Sequence, residues 1–74
     1  MRRAGTVVGT AQGVAVVRSD DGSHPDAGAD LVDEQLEPVG TVVDVFGPVE
    51  RPYLAVSPVD RRIATLAGEP VYAR

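Results

Sequence analysis

Seventy-four residues suffice for one domain, and a domain of that size buries only about 60% of its unfolded surface, so its core is small. There is no cysteine and only one histidine, His24, which excludes disulfides, thiolate zinc sites and His-rich metal sites and leaves closure of the fold or a partner as the means of stabilisation. The net charge is −4, and an acidic chain of this kind is poorly suited to gripping phosphates on its own.

All seven basic residues are arginine. Acid-rich, lysine-free composition suits a cytosol of molar salt, where like-charge repulsion is screened within roughly 3 Å. A GC-rich genome would account for arginine over lysine, but not for the surplus of acids. The expected source is therefore a salt-loving archaeon or similar cell. Arg2-Arg3 is followed by no apolar stretch of signal-peptide length, and the longest apolar run, residues 14–17, is far too short to span a membrane. An intracellular, cytoplasmic protein is expected.

The apolar stretches are short, Val-rich and bounded by Gly, Pro and Asp, which is the pattern of strands. Residues 4–10 read as a first strand, Ala11-Gln12-Gly13 as a turn, and residues 14–18 as the returning strand. Residues 19–30 are polar and read as a flexible loop. Leu31-Val32 reads as a very short strand, followed by a turn at Asp33-Glu34-Gln35. Residues 39–46 give the strongest strand, broken by Gly47-Pro48. Residues 53–57 form the next strand, with Pro58 ending that run. Residues 59–66 are ambiguous, a loop with a helical turn. Ala67-Gly68-Glu69 turns the chain into a final strand, residues 70–72. No stretch keeps helical spacing over three turns. Several short strands in so short a chain predict an all-β fold, a small closed barrel, because closure removes exposed edges.

Alternation assigns faces. Leu54 and Val56 share one side and belong in the core, while Tyr53, Ala55 and Ser57 point outward. In residues 39–46 the alternation is poor: Val42, Val43, Val45 and Phe46 are all apolar around Asp44, so both faces ask for burial. One face can line the barrel, and the other calls for a partner. Asp44 is read as a cap on the turn amides near Gly47 and Val49.

Residues 40–53 hold the only Phe, one of two Tyr, two Gly and two Pro. Phe46 can be a core aromatic. The segment also reads as a rigid apolar bulge whose prolines lower the cost of holding a docking shape. The residues expected to bind a partner are Val43, Val45, Phe46, Gly47, Pro48, Val49, Arg51, Pro52 and Tyr53.

This segment resembles the core motif of the glycine–arginine-rich-domain subunit of H/ACA ribonucleoproteins, the guided pseudouridylation particles. The resemblance is carried by Gly40, Asp44, Phe46-Gly47-Pro48-Val49, Pro52-Tyr53, Val56 and Pro58. Arg3, Gly5 and Val7 fit the opening, Gly13 with Val17-Arg18 the second strand, and Val32-Asp33, Leu36 and Val39-Gly40 the approach to the core motif. Gly68-Glu69 and Val71-Tyr72 fit the ending, so nearly the whole chain is covered. The chain departs from the family pattern in its acidic substitutions and at Glu50-Arg51, where relatives more often place a basic residue first. Like the short archaeal form, it shows no glycine–arginine tail. The resemblance implies a six-stranded closed barrel of the translation-factor (reductase/isomerase/elongation factor) type. It also implies a non-catalytic subunit that binds the pseudouridine synthase catalytic subunit, touches guide RNA only indirectly, and assists substrate loading and product release. No cofactor or metal is implied, no membrane, and a monomer is expected outside the complex.

Other chemistry finds little footing. No phosphate-binding loop is present. Asp20-Asp21-Gly22 with Asp26 and Asp30 lacks EF-hand spacing and reads as a solvated loop. His24 reads as an exposed loop histidine, and Arg61-Arg62 as a solvated pair that could touch phosphates. No nucleophile with base and oxyanion donors is readable. A direct RNA-binding barrel of ribosome maturation or translation would want a basic face with exposed aromatics, against which stand scattered arginines and three aromatics. An unrelated β-domain dimerising through the bulge is the remaining alternative.

Overall fold

The Val-rich runs become six strands in the computed structural model, which describes residues 2–74. They are β1 (Arg2–Ala11), β2 (Val14–Arg18), β3 (Asp30–Val32), β4 (Pro38–Phe46), β5 (Tyr53–Pro58) and β6 (Pro70–Ala73). A 3-10 helix over Arg61–Leu66 joins the last two strands. All neighbouring strands are antiparallel, and the order β1-β2-β5-β4-β3-β6 closes because β6 pairs back onto β1. The all-β reading and the closed six-stranded barrel are therefore both found. Pro58 lies inside β5 opposite Gly40, not beyond it. At a strand end its missing N–H costs no ladder bond.

Every strand contributes to one core. Val7, Val17, Leu31, Val39, Val42, Leu54, Val56 and Val71 are all essentially inaccessible, with Ala4 and Ala15 where space is shortest. Leu54 and Val56 point inward as their alternation requires. Ile63 of the 3-10 helix joins the cluster, so the ambiguous segment 59–66 supplies a core residue to the barrel. That helix is started by Asp60, whose Oδ1 accepts from the Arg62 amide at 2.8 Å.

Arg62 then holds the helix to the β3–β4 turn. Its Nη1 donates to Asp33 Oδ2 at 3.2 Å and its Nη2 to the Pro38 carbonyl at 2.6 Å. Asp33 is a buried carboxylate that also accepts from the amides of Gln35 (2.8 Å) and Glu37 (3.0 Å). A buried charge is tolerable when its lone pairs are filled in this way. The expected turn at Asp33 is thus an anchored one, and Arg62 is not a solvated arginine.

Two further expectations change. Residues 19–30 are tied down at both ends: Ser19 is buried and donates through N and Oγ to the Pro52 carbonyl (3.0 and 2.6 Å). Gly28 and Ala29 exchange bonds with Val42, extending the flank of β4 before β3 begins. The segment is polar because most of it faces solvent, with Pro25 buried and Ala29 packed against the core, not because it is detached. The poor alternation of β4 arises from a bulge: Val42 pairs with Val56 and Asp44 with Ala55, which leaves Val43 extra. The bulge resets the phase, so Val42 and Val45 both turn toward the core while Val43 and Phe46 face out.

Candidate partner-binding face

The outer side of β2, β5 and β4 is built by register. Arg18 lies opposite Tyr53, and Tyr53 opposite Phe46, forming one outward row across three strands. The next row is Val16, Ala55 and Asp44. Phe46 and Tyr53 stack with ring centroids 5.6 Å apart and planes 21° from parallel. Cross-strand aromatic pairs of this kind hold each other in one rotamer. Phe46 is nevertheless 45% exposed, so it is an aromatic of the surface and not of the core. Val43, at the bulge, is 50% exposed.

The β4–β5 connection continues this apolar surface. Gly47 sits at φ 91° directly against the Tyr53 ring, where a Cβ would come within 3.0 Å of Cδ2. A side chain is disfavoured there on both counts. Pro48 and Val49 follow, and Val49 is 86% exposed at the tip. A valine so bare in an acidic chain has no folding reason to be apolar.

Not all nine expected residues face outward. Val43 is exposed, Phe46, Gly47, Pro48 and Val49 form a continuous exposed run, and Tyr53 is half-buried under its stack. Val45 packs against the core instead, because the bulge turns it inward. Pro52 is buried, and its carbonyl is the acceptor that anchors Ser19. Arg51 is exposed but donates its Nε to the Ser19 carbonyl at 3.0 Å, so it stitches the two loops together. Asp44 does not cap Gly47 or Val49. It is exposed, and its Oδ1 accepts from the neighbouring Val45 amide at 2.8 Å.

The remaining singled-out residues have local employment. Asp20 pairs with Arg3 at 2.9 Å, and Asp21 caps the Ser23 amide at 2.7 Å. His24 is half-buried, with Nδ1 2.9 Å from the Pro25 carbonyl. Among the described residues no group of three or more acidic or histidine side chains is gathered as a metal site. The outward neighbours Arg18 and Val16 were not among the expected site residues. Their place beside Tyr53 depends on the β2–β5 pairing, which joins residues about 35 positions apart and leaves no local signal.

A small closed barrel with one exposed aromatic face and a bare apolar loop defines a binding module. The chain belongs to the Gar1/Naf1 family: the family model described as the Gar1/Naf1 RNA binding region matches residues 1–74. That family is associated with H/ACA ribonucleoproteins. Among solved structures the chain is similar to one titled "Structure of the Gar1 domain of NAf1", with a TM-score of 0.80 and 15% identity over 97% of this chain and 82% of that one. At that identity the likeness carries the fold alone. No curated protein matches the chain.

Proposed function

We propose that this protein is the non-catalytic subunit of an H/ACA guide ribonucleoprotein. It binds the pseudouridine synthase catalytic subunit through the Phe46–Tyr53 face and the Val49 loop. Bound there, it assists substrate loading and product release in RNA-guided pseudouridylation of rRNA, in the cytosol of a salt-adapted archaeon. The observation that carries the reading is the stacked Phe46–Tyr53 pair left open on the surface of a chain of net charge −4. Exposed, preorganised aromatics beside an apolar loop are the material of protein-interface hot spots. Membership of the Gar1/Naf1 family, which is associated with H/ACA ribonucleoproteins, supports that setting. The module works by adhesion and performs no chemistry of its own.

A second reading, direct RNA binding, is favoured by the family's description as an RNA binding region. Against it stands the charge, since gripping a phosphate backbone takes a concentration of cations. A pull-down in molar KCl from extract of the source cell separates the two. Recovery of a pseudouridine synthase that survives RNase is the expected outcome. Recovery of RNA or ribosomal particles that depends on intact RNA, with no synthase, would move the assignment to the second reading.

A further inference from the structure

We propose that Arg18 is a recognition residue of this face, and that the partner segment seated on Phe46 and Tyr53 presents a carboxylate to it. The proposal rests on the synthase reading above and names the chemistry of the segment that docks. Arg18 is exposed, stands directly opposite Tyr53, and shares the outward row with Phe46. Opposed residues on one face of an antiparallel pair have their Cβ atoms about 5 Å apart, so the Arg18 side chain leaves the sheet beside Tyr53.

The other arginines near it are engaged. Arg3 is paired with Asp20, and Arg51 bonds the Ser19 carbonyl. Arg18 has no ion pair and no side-chain hydrogen bond among the described residues, although the chain carries eleven acids. A cation left unpaired at the rim of an apolar face is an offer of charge complementarity to whatever covers that face. Val16 and Ala55, the uncharged residues behind it, exclude water once covered and strengthen the pair. Asp44 lies across Ala55 at the opposite corner, so the face has a positive and a negative end. This polarity favours a protein segment with charges in a matching order over a phosphate backbone, which would be repelled by Asp44 as it is attracted by Arg18. It also sets which way round the segment lies.

The test is calorimetric titration of the full chain with the purified synthase subunit at several KCl concentrations, each variant first shown folded by circular dichroism. Arg18→Gln is expected to weaken binding about fivefold and to flatten its salt dependence; Arg18→Glu weakens it tenfold or more, roughly. Arg61→Glu makes the same charge change beyond the far end of β5 and is expected to leave affinity unaltered. Wild-type binding with Arg18→Glu equal to it, or with Arg61→Glu as damaging as Arg18→Glu, overturns the proposal while leaving the synthase reading intact. Failure of the wild type to bind the synthase overturns both. If Arg18→Glu abolishes binding of a guide RNA in the absence of synthase, the anion is phosphate and the carboxylate proposal is wrong.

Discussion

Removing the Phe46 ring takes away a group that serves both adhesion and folding, and the two losses are read by different measurements. Phe46 is 45% exposed, and a Phe side chain offers up to about 200 Å² of surface, so close to 90 Å² awaits a partner. At about 25 cal/mol per Å², covering that area contributes about 2 kcal/mol, close to a thirtyfold change in Kd. Phe46→Ala is therefore expected to weaken synthase binding by about that factor. The folded state loses the covered part of the ring, about 110 Å² or at most about 3 kcal/mol at the same coefficient, and the stack on Tyr53, worth about 1 kcal/mol more. With about 2.1 cal/mol/K of unfolding entropy per residue over 74 residues, the two together lower Tm by at most about 25 °C, so binding is read at a temperature where circular dichroism shows the variant folded. Calorimetric titration reads the first quantity and a thermal melt the second. Val59→Ala serves as the control, since Val59 is as exposed but lies past the other end of β5. The reasoning is refuted if Phe46→Ala binds within twofold of wild type, or if Val59→Ala costs as much.

Other perturbations follow from the same geometry. Val49→Asp is expected to leave Tm within a degree or two and to weaken binding, because it charges a side chain that is 86% exposed; Tyr53→Ala should weaken binding with a loss of Tm, and unfolding of either variant would make these residues structural. Gly40→Ala places a Cβ 2.5 Å from the Ser57 carbonyl oxygen, and a melt should show destabilisation of about 3 kcal/mol, at the upper end of overpacking. Asp33→Ala strands Arg62 and two turn amides and is expected to cost about 2 kcal/mol, or about 13 °C in Tm, as a chemical or thermal denaturation would read. Circular dichroism in dilute buffer against molar KCl should show the fold gaining stability with salt. An intact fold with no gain would end the salt-adapted reading.

The six strands could be read in place because each Val-rich run is closed by Gly, Pro or Asp, and because Leu54 and Val56 keep strict alternation. What could not be read came from distance. The bulge at Val43 is visible only against Ala55, so Val45 looked like a surface residue when it belongs to the core. Pro52 looked like part of a docking bulge, but Ser19, more than thirty residues earlier, takes its carbonyl and buries it. The same separation made residues 19–30 look loose, since Val42 and Pro52 are the groups that fasten them. Arg18 was an ordinary end-of-strand arginine until pairing set it beside Tyr53. Phe46 could equally have been a core aromatic, and only the bulge turns it outward. Pro48 and Val49 needed no such help, because apolar residues in a turn of an acidic chain already lack a reason to be inside.

The carboxylate of Asp44 has one more consequence. β3 is three residues long and β4 nine, so among the described residues no strand lines the β3 flank of β4 beyond Val42. A bare flank of Val, Val and Phe is the sort of template on which stray chains stack into aggregates. Here the Val45 amide on that stretch is already occupied by Asp44, and an incoming strand would meet a negative charge where it needs a donor. The residue that spoils the hydrophobic pattern of β4 thus sits where a gatekeeper charge discourages edge-to-edge stacking.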